Sequence, residues 1–555
     1  MGKRSCSSLL KLIRISMSHI CTYILVVFVS ISNVFSQSLP ADITFFNPTI
    51  GASVQTINPS AGTGDDSQTF INAINTVNAS GGGRVIVNAG TYRVLEVPLK
   101  SNVHIEVDSN VTLLPYNYIS NNKSLFDADS NSGISNFSIV GIGGDFNIDF
   151  ASLQPDARIR AISFKFCSNF KVANFNINDN NTVFSGLIFG SNHVTISTPD
   201  GNRIQSIRGV PNGGIIENVS ITNAHYGYGL IQTQSGKNLL FRNLNGIGGA
   251  TLRLETGYSL IQYTELFDFE DLKLDNIWAR NIECTNGQSA LQLSPHTLDQ
   301  GYFNVSGVIG NSCETAVVWS SGFTTDDEEA NGLTPGSYNS TSKIRDVTST
   351  FGQNAQLHKS KRLRYIPCAL RVERSGGIGI ATTLNVDGES RTGPAIGAVI
   401  RQADKPGDYD LDFPVTEVTA NGYNINAYYL PQNAFFVDSY DDYEICNESV
   451  SGLSFWIPVD ERNTPNSRNP LENGLSVEEE SSGILKVYPN PSSGLLSFRV
   501  PKDLIIKNIQ IKNLLGKEVF KDRIINKKTI DLGFLSKGVY LLYIDDNYKQ
   551  KIVLN

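Results

Sequence analysis

Three short runs between Tyr226 and Phe323 carry side chains suited to chemistry: Tyr228-Gly229-Leu230-Ile231-Gln232, Thr251-Leu252-Arg253-Leu254-Glu255 and Leu291-Gln292-Leu293-Ser294-Pro295-His296. In each, apolar and polar residues alternate as they do along a half-buried strand. Leu252 and Leu254 take one face; Thr251, Arg253 and Glu255 take the other. Leu291 and Leu293 oppose Gln292 and Ser294, with His296 just past a Pro break. Neighbouring strands in a sheet stand about 4.8 Å apart. Stacked as rungs, the three runs would set a carboxyl, an imidazole, an amide and a guanidinium on one solvent-facing strip, around a single sugar linkage. Hydrolysing such a linkage needs a proton for the departing oxygen and a base for the incoming water.

The rest of the chain must build those rungs. From Asn136 onward an Asn followed by alternating apolar residues recurs, at Asn136, Asn169, Asn174, Asn218, Asn238, Asn276 and Asn304. Asn218 to Asn238 spans 20 residues, and Gln232 to Glu255 spans 23. Strands at that interval without helices between them predict an all-β solenoid, each coil burying its apolar face against the next. Asn at the corners tolerates a left-handed backbone. A β-sandwich with long loops is the competing architecture. The open end of a solenoid needs a cover, and Phe70, Ile71, Ile74 and Val77 at helical spacing predict a capping helix, with Asp65 or Asp66 at its N-terminus. Ahead of it, Ile43-Thr44-Phe45-Phe46 reads as a strand.

Residues 1–36 read as a signal peptide: Lys3, Arg4, Lys11 and Arg14 precede a largely apolar Ile20 to Ile31 and a small-residue cleavage site before Gln37. That apolar core is shorter than a membrane span, and no later segment is long and apolar enough to make one. Five Cys follow the leader. Export permits disulfides; Cys284 with Cys313 is the expected bridge, Cys368 with Cys446 a weaker second, and Cys167 a buried thiol. No zinc-like Cys/His spacing occurs. The net charge of −8 argues against a nucleic-acid partner, while leaving room for an anionic polysaccharide held by local basic groups. The main domain is expected over 37–457, with 324–417 either completing the solenoid or forming a lid. Lys359, Arg362 and Arg364 in the densest basic run are candidate contacts to substrate anions. Residues 458–483, rich in Pro, Asn, Ser and Glu, read as a linker. The remainder, 484–555, reads as a small β-domain with 13 Lys and Arg against 6 Asp and Glu.

Two resemblances follow. The tail, through Tyr488-Pro489-Asn490-Pro491, Gly516-Lys517-Glu518-Val519, Gly538-Val539-Tyr540-Leu541 and Lys551-Ile552-Val553-Leu554, resembles the C-terminal sorting domain of type IX secretion. That implies outer-membrane secretion machinery as a partner and a secreted or surface-attached protein. The central stretch, through His225 to Gln232, Leu252 to Thr256, Ser294-Pro295-His296 and Ser321-Gly322-Phe323, resembles glycoside hydrolase family 82, the iota-carrageenases. The resemblance implies a right-handed parallel β-helix that hydrolyses the β-1,4 bonds of a sulfated galactan with inversion, working as a monomer. No cofactor is required; a bound chloride or calcium would be compatible, and no metal ligand set is singled out. Glu255 matches the family's general acid, and Gln232 and His296 match positions that order water, an anion or substrate. Such an acid has to stay protonated near neutrality, so its surroundings should raise its pKa. Arg253 on the same face opposes that, yet its planar donor fork suits a sulfate. Gly257 stands where the family's basic Asp is expected; Glu265, Asp268, Glu270, Asp271 and Glu314 are the nearby carboxylates.

Competing functions are another β-helix polysaccharide hydrolase, a lyase, or a non-catalytic glycan-binding adhesin. A pectin hydrolase would show an Asp pair in the central rungs and a later Arg-x-Lys, and neither is found. A lyase would need uronates and a Lys, Arg or Tyr base. The Gly257 departure is what keeps the adhesin in play.

Overall fold

The alternating runs form short parallel strands that stack into a parallel β-helix. A computed structural model describes residues 38–118, 122–197, 203–256, 272–330 and 332–358, with parts of 371–423 and of 486–554. Among the described residues the main sheet has 21 strands, from Ser53–Ile57 to Val418–Asn421. Its pairing is that of a coil. Cys167–Asn178 pairs with Ile134–Ile142 on one side and Asn212–Thr233 on the other. Asn212–Thr233 then pairs with Gly236–Glu255, and that strand with both Leu274–Thr285 and Ser289–Ser294.

Inward positions fill the bore with Ile, Val, Leu and Phe. Like residues on successive rungs bring rings face to face near the rung spacing: Phe164 and Phe189 stack at 4.5 Å between centroids, and Phe146 and Phe175 at 5.2 Å. The helix Ser67–Ala79 buries Phe70, Ile74 and Val77 against the first coils. Its two Asp divide the work. Asp65 Oδ1 accepts the Ser67 N–H at 2.8 Å. Asp66 instead accepts the N–H groups of Ser60 and Arg93, at 2.7 and 2.8 Å, and so ties the helix to neighbouring backbone. The run at Ile43 is not a strand: Asp42–Thr44 is a 3-10 turn that delivers Phe45 onto Ile215, Leu240 and Trp278 on the outer face of the coil.

The Asn repeat has a backbone cause. Asn136, Asn169, Asn174, Asn218, Asn238 and Asn276 all have φ between 48° and 62°. Asn174, Asn218, Asn243 and Asn281 fall at one register, each amide donating to the one before at 2.9, 2.9 and 3.0 Å. Gly307 and Asp346 continue that left-handed column on the next rungs. Asn304 does not join it, because it is in register with Trp278 rather than with a corner. Asn218→Ala is expected to destabilise the protein by about 2–3 kcal/mol. A left-handed Cβ costs about 1–2 kcal/mol, and two exposed amide bonds add the low end of about 0.5–1.5 kcal/mol each. Asn218→Gly should recover most of the first part. Equal urea midpoints for the two variants would remove backbone conformation as the cause.

Segment 324–417 does two jobs. Lys343–Thr350 and Val399–Arg401 are further rungs. Between them Ala355–His358, Thr383–Leu384 and Ser390–Gly393 form an antiparallel sheet, and Arg371–Arg374 pairs with Gly377–Ile380 as a hairpin. The expected Cys284–Cys313 bridge is not made. Both are buried free thiols, hydrogen-bonded neighbours on adjoining turns. Each sulfur is also directed at backbone: Cys284 Sγ lies 3.7 Å from the Gly249 carbonyl, and Cys313 Sγ accepts the Gly287 N–H at 3.4 Å. Cys167 is likewise buried and free, and burial pushes its thiol pKa well up. The leader, the whole of the linker, Cys368 and Cys446 lie outside the described residues.

The chain divides into two compact units, residues 1–474 and 475–555. The second holds two antiparallel sheets, of three and four strands, around Leu496, Ile511, Leu542 and Ile552. Among the described residues no helix is long and apolar enough to cross a membrane.

Candidate active site

Register brings the three runs together. Gln232 pairs with Arg253, and Arg253 with Gln292, on adjacent strands. Two residues along, Glu255 pairs with Ser294. Ile231, Leu252, Leu254, Leu291 and Leu293 enter the bore, so these polar groups take the outer face. Arg253 and Glu255, two residues apart on one strand, turn to each other: Arg253 Nη2 donates to Glu255 Oε2, and Nη1 donates to the Gly227 carbonyl at 2.8 Å. His296 Nε2 lies 3.2 Å from the other carboxylate oxygen, Glu255 Oε1.

His296 reaches that position through its backbone. Its φ of 51° is left-handed, which turns the chain off the strand after Pro295. Its carbonyl then accepts the N–H groups of Phe323 and Gly336, at 3.0 and 2.7 Å, and its ring packs on Phe323 at 4.3 Å. These contacts cover the strip. Tyr338, packed on Phe303 in the bore, reaches the same strand, its hydroxyl donating to the Leu254 carbonyl at 2.6 Å. The strip is therefore buried rather than solvent-facing: Glu255 is 2% exposed and Arg253 0%.

Burial decides the electrostatics only in part. Desolvation, the largest single influence on Glu255, works to raise its pKa. The charge of Arg253 and the hydrogen bonds of His296 and Arg253 outweigh it, so the net direction is down. This reverses the upward shift expected of the acid. Burial and the Glu255 charge together push the Tyr338 hydroxyl well up. Among the described residues the strip still has unmet hydrogen-bonding capacity: Arg253 Nε, Gln292 Oε1 and Ser294 Oγ are buried without a partner there. Buried polar groups are seldom left unpaired, so these three are poised for a water or a bound group.

A second polar knot lies beyond Gly227. The Tyr226 hydroxyl donates to Glu314 Oε2 at 3.3 Å and accepts from Gln288 Nε2 at 3.4 Å. Glu314 alone of the five nearby carboxylates is among the described residues; Gly257, Glu265, Asp268, Glu270 and Asp271 are not, nor are Lys359, Arg362 and Arg364. No group of three or more His, Cys, Asp or Glu able to hold a metal occurs among the described residues. Sequence reasoning marked Phe323 within Ser321-Gly322-Phe323 without giving it a role, and missed Tyr338 and a half-buried Arg160 three rungs away. Arg160 is the lone charge in Ile159-Arg160-Ala161-Ile162-Ser163-Phe164, and that break in an apolar run was the available signal.

Residues 486–555 match the secretion system C-terminal sorting domain. The chain is 30% identical over 420 residues to an iota-carrageenase of Alteromonas macleodii, covering 66% of this chain and 82% of that one. Among solved structures it is similar, at 29% identity and a TM-score of 0.58, to a 1,3-alpha-1,4-beta-D-galactose-4-sulfate-3,6-anhydro-D-galactose-2-sulfate 4 galactohydrolase, over 70% of this chain and 94% of that one. It is also similar, at 28% identity and a TM-score of 0.58, to an iota-carrageenase of family GH82 from A. fortis determined in the absence of chloride ions, over 71% of this chain and 93% of that one.

Proposed function

The chain belongs to the iota-carrageenase family, glycoside hydrolase family 82, and from that premise we propose that it cleaves the β-1,4 bonds of iota-carrageenan with inversion, using Glu255 as general acid. Its sorting tail marks it as a secreted glycoside hydrolase. The observation that carries the proposal is the contact set on one carboxyl: Arg253 on one oxygen, His296 on the other, with Gln232 in register alongside.

The roles follow from those contacts. As an ion-paired carboxylate Glu255 cannot donate a proton. A sulfate ester drawn to the Arg253 fork supplies that guanidinium with a second anion. The pull on Glu255 then weakens, burial prevails, and the carboxyl takes up the proton that it passes to the departing oxygen. His296 fixes the carboxyl through Oε1. Gln232, with Gln292 and Ser294, orders the attacking water. An inverting pair stands about 6.5–9.5 Å apart, and Gly257 offers no side chain for the second role.

Incubating the purified protein with iota-carrageenan and following reducing ends tests the activity. Nuclear magnetic resonance of the first-formed anomer tests inversion. Products that absorb in the ultraviolet through a new double bond would replace hydrolysis by elimination. Among amide replacements at Glu265, Asp268, Glu270, Asp271 and Glu314, the one that removes the acid limb of the kcat/KM profile identifies the base.

A further inference from the structure

Along the outer face, on the side of the N-terminal rungs, a second cation stands clear of the reaction centre. Arg160 lies on Ile159–Phe164, which pairs with Leu187–Phe189; that strand pairs with Asn212–Thr233, and that in turn with Gly236–Glu255. Three rung steps at about 4.8 Å put the Arg160 rung roughly 14 Å from that of Arg253. The alternation alone would send Arg160 into the bore beside Ile162 and Phe164. The chain kinks instead at Ala161, where Ala161 and Ile162 both donate to the Gly186 carbonyl, at 2.8 and 3.3 Å. The kink leaves Arg160 half-buried on the outer face.

Among the described residues no carboxylate forms an ion pair with it. The guanidinium sits 3.9 Å over the Phe184 ring. Phe184 meets Tyr228 edge-on at 6.1 Å, and Tyr228 lies under Arg253 at 5.9 Å. Among the described residues no hydrogen bond or ion pair holds the Arg160 head, and its Nε is buried without a partner. Asp127, one rung back, feels its charge only at longer range. Burial lowers the Arg160 pKa to about 10, which leaves it cationic at neutral pH. Phe184 and Tyr228 are themselves partly exposed. A row of guanidinium, ring, ring, guanidinium suits a polymer carrying anions at intervals along apolar sugar faces. The related galactohydrolase is named for a substrate with a sulfate on each sugar of its repeat.

We infer that Arg160, Phe184 and Tyr228 form a distal subsite that takes a second sulfate ester of the same galactan chain on the Arg160 fork, with the flanking sugar against the two rings. The inference rests on the proposed substrate class. The subsite holds the polymer in register while the linkage over Glu255 reacts, so its binding is uniform between ground and transition states.

Arg160→Met keeps the stem over Phe184 and removes the charge; Arg160→Lys keeps the charge and removes the fork. The expected result for Arg160→Met is a rise of about tenfold in KM for the polymer, the scale of one charge-assisted hydrogen bond, with kcat falling far less. Arg160→Lys should recover part of the loss. Fragments too short to reach three rungs from the cleavage point should show no such rise. In a Glu255→Gln background, where turnover is slowed enough to measure binding, the dissociation constant for the sulfated polymer should rise by the same factor. An unchanged dissociation constant, or an equal rise for short and long substrates, overturns the subsite. A dissociation constant weakened by Arg160→Met, beside a wild-type protein that cleaves nothing, upholds the subsite and sinks only the catalytic reading.

Discussion

Replacing Glu255 with Gln is expected to lower reducing-end release from iota-carrageenan by about 10²–10⁴, the usual contribution of a positioned acid. The amide keeps the volume of the carboxyl and one acceptor oxygen, but has no proton to give. In the buried strip that oxygen can serve His296 or Arg253, not both as the carboxylate does. The thermal midpoint should therefore fall while the far-ultraviolet circular dichroism stays that of a β-helix, since the rungs on either side are held by backbone pairing and the bore. Full activity in a folded Glu255→Gln protein would remove Glu255 as the acid. Inactivity with a lost β signature would say nothing of the chemistry, so both are measured on the same preparation.

The solenoid was legible because its two signals are local. Alternation at Leu252 and Leu254 sets the face, and Asn at a corner sets the turn; the left-handed φ of Asn136, Asn169, Asn174, Asn218, Asn238 and Asn276 is the physical fact behind the repeat. Asn243 and Asn281 take the same conformation without having stood out. The interval counted from Gln232 to Glu255 was two residues too long, because Gln232 is in register with Arg253. What lay above the strip was not legible. Phe323 stood in Ser321-Gly322-Phe323, but its place on the His296 ring, like that of Tyr338 in the polar stretch after it, follows from the left-handed turn at His296, and composition does not fix that path. The sign of the Glu255 shift was lost with it. Arg253 was recognised as an opposing charge, but whether it would prevail turns on an ion pair whose geometry no spacing supplies. The thiols of Cys284 and Cys313 were placed as neighbours correctly and bonded wrongly: they meet as hydrogen-bonded free thiols, not as a bridge.

Arg253→Met should cost about 3–5 kcal/mol near neutral pH, the scale for removing one partner of a buried ion pair, and should reverse the pH dependence of stability that Glu255 contributes. In the native protein the folded pKa of Glu255 lies below its ordinary 4.5. Its contribution is therefore present above about that pH and is lost as pH falls through the folded value. Without Arg253, burial is opposed by His296 alone and prevails, so the folded pKa rises above 4.5. The group is then tolerated as the neutral acid at low pH. As pH rises from the unfolded value through the raised folded one, it destabilises increasingly. Urea unfolding of both proteins at pH 4.5, 6 and 7.5 should show the gap between them widening with pH. The same change separates two roles of Arg253 in kinetics. Loss of a sulfate ligand lowers kcat/KM at every pH, whereas release of Glu255 from its ion pair moves the alkaline limb of kcat/KM, which reports the free enzyme's acid, to higher pH. A lowered kcat/KM with the limb unmoved would confine Arg253 to substrate binding and leave the protonation of Glu255 to some other group.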